Sequence, residues 1–438
     1  MTQKLRIFSL ITIHVLILAH IYIFGDEVVG SVDFQEFFHS FIKYGIINSG
    51  VILVIIAFIV TLIFGRFFCG WGCHFGAVQE LSWVILKKLG IRPKTINSSI
   101  ITILPLFMLI NFYILPNAIY AVNQPWEAIT IEMGNPGIWA FLPGFTIATL
   151  TFIIDGFLIV YFLGRKGFCR YICPWGAFLK IPNTLAMFKV RNSGGCIESG
   201  NCTSSCPVGI DVSYEINHYE KVTNTNCTSC MICIDGCPSK AITYQWKNPL
   251  KENFQFKHYF LNKDMYSLPI IKKKFRSIHS KDLIILILIL FFGFSIDGLY
   301  GMGHFLSFGL ASIVAIKFFA LKSYFNNKIA IKSIRLLIVF IFCWHATIKY
   351  SIWQGLKNYD ANNYNTSIKY LECAVRIYPK SIGRFHVLLG RMYLENNSID
   401  KARNHALKAI QINPNYHSSN ELLKEIESIE YQIYNELD

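Results

Sequence analysis

The run Cys227-x2-Cys230-x2-Cys233-x3-Cys237-Pro238 leaves its stretch of chain few ways to fold. Such short spacings wrap the backbone round a compact inorganic core, with thiolates and N–H groups turned inward and a proline ending the turn. In two-cluster iron–sulfur modules, the first three cysteines hold one cubane and the fourth crosses to the other. A structural zinc site would use two separated Cys-x2-Cys knuckles instead. The crossed partner is Cys196-x5-Cys202-x3-Cys206-Pro207. Cys206 then completes the set of Cys227, Cys230 and Cys233, and Cys237 joins Cys196 and Cys202. The second set has three thiols, with Ser199 at the fourth position. Three readings of that position stay open: ligation by the serine oxygen, a three-iron form, and a ligand from elsewhere. The expected cofactors are two [4Fe–4S] clusters, or one with a [3Fe–4S] form beside it.

Two more cysteine pairs lie upstream, in Gly65-Arg66-Phe67-Phe68-Cys69-Gly70-Trp71-Gly72-Cys73-His74-Phe75-Gly76-Ala77 and Gly164-Arg165-Lys166-Gly167-Phe168-Cys169-Arg170-Tyr171-Ile172-Cys173-Pro174-Trp175-Gly176-Ala177. Both read Gly-Arg, then Phe-Cys-x3-Cys, then two residues and Gly-Ala. Both follow an apolar run, so the pair is an internal repeat of a two-span unit. Pseudo-symmetry would gather Cys69, Cys73, Cys169 and Cys173 at a membrane edge, as a third centre or a redox-active pair. Buried structural cysteines are the plainer reading, and the repeated context weighs against it. His74, where the second copy has Pro174, is more simply a satisfied polar residue than a ligand.

Charged residues are 16% of the chain and hydrophobic residues 53%, with mean hydropathy +0.40. Soluble proteins carry roughly 25% charged residues. Seven apolar runs, near 7–24, 44–64, 99–119, 141–163, 282–297, 302–321 and 335–352, approach the ~20 residues that cross ~30 Å of hydrocarbon. Asp297 and several glycines shorten the fifth, and a re-entrant hairpin is the alternative for the fifth and sixth. The first follows Lys4 and Arg6 but lacks a small-residue cleavage site, so it reads as a retained anchor. Basic residues concentrate in 65–98, 164–281 and 322–335, including Lys272, Lys273, Lys274 and Arg276. The alternate loops carry Asp26, Glu27, Asp33, Glu36, Glu127, Glu132 and Asp297, with Lys43 their one base. This positive-inside pattern puts the cysteine-rich segments in the cytoplasm of a bacterial inner-membrane protein and the C-terminus outside. It also explains the net charge of +14 without nucleic acid. Eleven of thirteen cysteines fall between Cys69 and Cys237, at the reducing face, which favours metal over disulfides.

Asp155 lies inside the fourth run, where an ionisable group is costly and marks a proton or quinol path; an interhelical hydrogen bond is the competing reading. Trp126, Glu127 and Glu132 are weaker candidates for a quinol pocket, and His14 and His20 lack the facing histidine pair that haem would need. Beyond residue 348 the chain turns polar. Gly355, Ser367, Ala374 and Pro379 recur 35 positions on as Gly390, Ala402, Ala409 and Pro414. That period resembles the tetratricopeptide repeat, a helical partner-binding array, with 421–438 as a polar capping helix.

With two Cys-x3-Cys motifs ahead of a two-cluster module, residues 1–245 resemble the membrane polyferredoxins of the NapH type, from periplasmic nitrate reductase systems, and the related C-terminal half of NosR-type proteins. The family motif is usually Cys-x3-Cys-Pro, which Cys169-Cys173-Pro174 fits and Cys69-Cys73-His74 does not. The family usually has cysteine where this chain has Ser199. The resemblance implies [4Fe–4S] clusters at Cys196, Cys202, Cys206, Cys227, Cys230, Cys233 and Cys237. It also implies quinol oxidation, with electrons passed to a partner serving a periplasmic reductase. The expected fold is mainly α: a multi-span helical membrane protein with a small cytoplasmic ferredoxin (α+β) insert and a C-terminal helical-repeat domain. The expected divisions are 1–190 (four spans), 191–250 (ferredoxin), 251–281 (basic linker), 282–352 (three spans) and 353–438 (repeats). The expected function is electron transfer between the quinone pool, or a cytoplasmic donor, and a partner redox protein. The alternative is an iron–sulfur redox or iron sensor, or an assembly factor, acting through the repeats. Expected partners are membrane lipid, quinone, a periplasmic redox protein and a protein held by the repeats. No acid–base triad is visible, so the label of a quinol dehydrogenase-type component rests on the redox role.

Overall fold

The computed structural model describes residues 2–19, 30–91, 93, 101–135, 145–249, 280–321, 327–378, 383–414 and 417–437. The fold is mainly helical, with a small β-hairpin-like insert and a C-terminal helix bundle, and it divides into two units. One comprises 1–290 with 308–316, the other 291–307 with 317–438.

In the first unit, apolar sequence makes apolar helix. Asn48 caps Ser49–Phe64 by accepting a hydrogen bond from the Val51 N–H, and Gly65, at φ 62°, ends it. Val51, Val54 and Ala57 are buried, yet Ile52, Ile55, Ile56 and Ile59 form an equally apolar exposed face. Such a face suits lipid better than water. Among the described residues, two helices are long and apolar enough to cross a membrane, Ile101–Asn123 and Lys328–Asp360. Three shorter apolar helices are Ser49–Phe64, Thr149–Leu163 and His304–Phe319. The expected span 44–64 is thus a helix of 16 residues, about 24 Å against the ~30 Å of hydrocarbon. The expected span 7–24 lies on Thr2–Ala19, and its last residues fall outside the described set. Among the described residues, then, two of the seven apolar runs lie on helices long enough to cross a membrane. Glu36, counted among loop acids, is buried and accepts hydrogen bonds from Ser40 and Asn48, because the segment 33–42 folds inward against aromatic rings.

The insert begins with strand Phe188–Asn192, antiparallel to Ile242–Trp246, Val190 facing Tyr244. Between them lie short helices Asn201–Ser205, Val212–Tyr219 and Ile232–Asp235. Asp211 caps the second by accepting from the Tyr214 N–H. Val190, Val208, Ile210, Val212, Ile216, Val222 and Ile242 form one core that includes Cys202 and Cys233. Cys202 and Cys233 are thus part of the packing.

In the second unit, Lys328–Asp360 runs straight from its apolar stretch into the bundle of Tyr364–Ile377, Gly383–Glu395, Ile399–Ile412 and His417–Leu437. The small residues spaced by 35 occupy matching places. Ser367, Ala374, Ala402 and Ala409 are fully buried, and a Cβ on Gly355 or Gly390 would run into Leu371 or Leu422. Pro379 lies outside the described residues.

Within the bundle, His386 Nδ1 and His405 Nδ1 share a 2.9 Å hydrogen bond, so the two rings cannot both carry a proton on those atoms. Burial, then the neighbouring His386 and Lys408, pushes His405 down to about 4. The unfolded imidazole takes up its proton near 6.5. The contribution to stability is therefore complete above about pH 6.5 and is lost as pH falls towards 4. We expect about 1–2 kcal/mol to be lost between pH 7 and pH 4.5, discounted for partial exposure. Thermal melts of the protein and of His405→Gln across that range will check this: the variant should lose much of the slope, and an unaltered slope would refute the assignment.

Candidate iron–sulfur sites

The insert folds its first cysteine set around a cavity. Cys206, Cys227, Cys230 and Cys233 all line a space of about 330 Å³, partly open to solvent, with Val190, Val208, Ile210, Val212 and Val222 behind them. The Ile210 N–H donates to Cys206 Sγ at 3.4 Å, as thiolate-held clusters require of their surroundings. Left-handed backbone at Ser229 and Met231 folds the x2 spacings tightly. The second set is looser. Cys202 is buried and close enough to Cys237 to feel its charge. Cys196 and Cys237 are half-buried, and Ser199 is exposed, on a segment with Gly194, Gly195, Glu198 and Gly200 all at positive φ.

The two Cys-x3-Cys pairs come together in two matching halves. Helix Phe67–Trp71 carries Cys69, and Cys73 precedes helix His74–Lys88; helix Gly167–Tyr171 carries Cys169, and Cys173 precedes Pro174–Phe178. The backbone bonds correspond. Gly72 and Cys73 both donate to Phe68 O, as Ile172 and Cys173 both donate to Phe168 O. One tight turn between the cysteines is what the x3 spacing provides. The four thiols lie within electrostatic reach of one another. Cys73 is pushed up to about 12, first by burial and then by Cys169 and Cys69, and Cys173 is raised by burial and by all three of the others.

Each half sends a cation across to the other. Arg66 is 1% exposed and Lys166 is 0% exposed. Arg66 Nη2 lies 3.7 Å from Cys69 Sγ. A Cβ built on Gly176 would stand 3.0 Å from Arg66 Nη2 and 3.1 Å from Cys169 O; one on Gly76 would stand 3.0 Å from both Lys166 Nζ and Cys69 O. The glycines are where they are because the other half's cation lies over them. Gln79 Nε2 points to Cys169 Sγ at 3.8 Å. Glu80 binds Arg6 (3.3 Å), Arg165 (2.6 Å) and Lys166 (3.6 Å). Burial works against its charge, and Lys166, Arg165 and Arg6 outweigh that, holding it down to about 2.

The insert docks on this site through the loop that carries Cys227 and Cys230. Trp71 Nε1 donates to Ser229 O (3.1 Å), Arg66 Nη1 to Thr225 O (3.2 Å) and Gln3 Nε2 to Cys230 O (3.1 Å). Gly70, next to Cys69, sits so close that a Cβ there would collide with Thr228 O and lie 3.3 Å from the Cys230 backbone. Arg170 feels the charge of Cys206, and Lys166 that of Cys230.

Asp155 lies in the π-helical turn Phe152–Leu158, fully buried, with neither carboxylate oxygen hydrogen-bonded. It faces Gly309, where a Cβ would overlap Oδ1. The interhelical hydrogen bond weighed as its competing role is not formed. Trp126 donates to Ile42 O, 84 positions away, and Glu132 accepts from Asn135, three positions away. His74 is exposed, His14 bonds its own helix at Leu10 O, and His20 and Lys272–Arg276 lie outside the described residues. The sequence reading passed over Arg66, Lys166, Gly70, Gln79 and Glu80. One signal was available for the cations: aligned on the cysteines rather than on Gly-Arg, Arg66 and Lys166 both stand three residues before Cys69 and Cys169.

No group of three or more His, Cys, Asp or Glu side chains among the described residues is placed to hold a metal ion. Sets made of thiols alone, around a cavity and beside buried cations, suit a larger anionic iron–sulfur core in which each iron takes one thiolate.

Residues 48–92 and 145–192 match a family model described as a 4Fe-4S binding domain, and residues 188–247 one described as a 4Fe-4S dicluster domain. The uncharacterized protein MJ0750 of Methanocaldococcus jannaschii is 28% identical over 217 residues, 47% of this chain and 83% of that protein. YccM of Escherichia coli (strain K12), provisionally named an electron transport protein, is 28% identical over 224 residues, 46% of this chain and 58% of YccM. The regulatory protein NosR of Stutzerimonas stutzeri is 31% identical over 191 residues, 39% of this chain and 23% of NosR. The chain thus spans little over half of YccM and under a quarter of NosR. No solved structure matches it.

Proposed function

We propose, from a family-level match to NapH-, NosR- and YccM-like 4Fe–4S membrane ferredoxin proteins, that this chain is a membrane-associated redox protein. In this reading it exchanges single electrons between its ferredoxin insert and its four-thiol site, and its redox state governs a partner protein. The observation that carries it is the docking of the 225–230 loop on Gly70 and Trp71, which sets the cavity of Cys206, Cys227, Cys230 and Cys233 against the helix bearing Cys69. Cys206, Cys227, Cys230 and Cys233 would hold one cluster, and Cys196, Cys202 and Cys237 the other, with Ser199 as fourth ligand or bystander. Cys69, Cys73, Cys169 and Cys173 would hold a third. Iron–sulfur clusters, when bound, take up and release single electrons. The chain's own residues supply the N–H donor at Ile210 beside Cys206 and place buried cations beside Cys69 and its partners.

Two destinations for the redox state remain. The similarity to NosR, a regulatory protein by name, favours a sensor or assembly role, with the helix bundle as a repeat-like partner platform. The exposed Ser199 side agrees, since an incomplete cluster is labile. Electron flow from a quinone pool draws on YccM's name and on the buried, unbonded Asp155 as proton acceptor, in a multi-pass protein whose insert faces the cytoplasm.

Iron, acid-labile sulfide and EPR on anaerobically purified protein test the common core. Cys206→Ala should remove about four irons and the matching reduced signal, and Cys237→Ala the other set. Protein without bound iron would sink the reading. Reduction by a short-chain quinol would then favour electron flow; partner binding that tracks cluster loss without quinol turnover would favour the sensor.

A further inference from the structure

The charges at the four-thiol site do not balance on the chain alone. Glu80 serves three cations, Arg6, Arg165 and Lys166. Arg66 has no carboxylate partner among the described residues, and its Nε has no hydrogen-bond partner at all. A buried cation without a counter-charge is costly, so Arg66, 3.7 Å from Cys69 Sγ, points to an anion at the thiols, while Lys166 shares its one carboxylate with two other cations. The arrangement is reciprocal: the cation of each half lies over the glycine of the other, beside the carbonyl of that half's first cysteine. A four-iron core with four thiolate ligands is dianionic when oxidised. Arg66 and Lys166, placed alike in the two halves, match that symmetry, and with Arg6 and Arg165 against the single carboxylate of Glu80 the site has positive charge to spare for it.

We infer that Arg66 and Lys166 are crossed counter-cations for a dianionic [4Fe–4S] centre at Cys69, Cys73, Cys169 and Cys173, and that they set its reduction potential. The inference rests on the third-cluster reading above. They are positioning residues of the centre, acting through charge: removing either cation makes an added electron less welcome, so the potential must move negative. The sulfur contact at Arg66 and the contacts over Gly76 and Gly176 are also steric, so charge must be separated from shape.

The full-length protein, purified anaerobically in detergent, is titrated with dithionite and followed by EPR, with iron counted per chain. The unaltered protein should hold about twelve irons, and Cys69→Ser with Cys169→Ser about eight, which identifies the third signal. Arg66→Gln and Lys166→Gln should each shift the reduced-to-oxidised ratio of that signal at least tenfold, about 59 mV more negative for one electron. The exchange R66K/K166R keeps both charges and should leave iron content and potential close to the unaltered protein. Loss of the third centre in the glutamine variants but not in the exchange would also support the inference. About eight irons in the unaltered protein would reject the third centre itself. Twelve irons with an unmoved potential in both glutamine variants would overturn the counter-cation role alone. So would loss or an equal shift in the exchange, which would make the requirement one of shape.

Discussion

Glu80→Ala should lower the stability of the first unit by about 3–5 kcal/mol, the usual cost of breaking a buried ion pair and stranding the opposite charge. The carboxylate is nearly buried and joins three parts of the chain: Arg6 on Thr2–Ala19, Arg165 and Lys166 at the second cysteine motif, and its own helix His74–Lys88. Without it, three cations crowd one another. Thermal melts in detergent should show a fall of roughly 5–10 °C. Glu80→Gln keeps the shape and should recover only part, because shape is the smaller share. The pH dependence follows from the same contacts. The unfolded carboxyl titrates near 4.5 and the folded one near 2, so the contribution is complete above pH 4.5 and disappears as pH falls through 2. A melting temperature that drops by less than about 2 °C in both variants would refute the account.

Gly70→Val should separate the insert from the four-thiol site. The obstacle is backbone on both sides: a Cβ at Gly70 collides with Thr228 O and presses on the Cys230 N and Cα. Neither can swing aside as a side-chain tip would. Overpacking of this kind costs about 1–3 kcal/mol, and here the strain falls on the loop holding Cys227 and Cys230. Amide exchange in 225–230 should rise at least tenfold, while exchange in Ile101–Asn123 stays as it was. Gly303→Ala, where a Cβ meets nothing within 4 Å, is the matched control. Unchanged protection of 225–230 would mean that the loop does not depend on the contact.

Spacing made the grouping of the cysteines legible. The x2, x2, x3 run and its crossed partner named the four residues that line the cavity, because ligands close in sequence are close in space whatever surrounds them. The pairing of Cys69 and Cys73 with Cys169 and Cys173 was readable from the internal repeat. What could not be read was long-range. Nothing local marks Gly70 as the contact with Thr228, 158 positions away, or marks Glu80 as the anchor for Arg6. Lys166 was hidden by a one-residue offset, since Gly-Arg is the eye-catching match and the cysteines are the structural register. Hydropathy marks apolar stretches but not helix ends: the run 44–64 contains the helix Ser49–Phe64, which starts after its Asn48 cap and stops at Gly65.

The exchanged cations also impose an order on how the chain matures. Until residue 166 has left the ribosome, the first motif has Arg66 but not its counterpart, and Gly76 has nothing to cover it. Until Gly176 follows, Arg66 has no place to lie. The insert, whose cysteines come later still, then closes over Gly70 and Trp71. On the reading proposed above, a cluster at the four thiols would find its ligand set complete only once Cys173 is made, before half of the 438 residues are synthesised and before the segment that covers Gly70 and Trp71 exists.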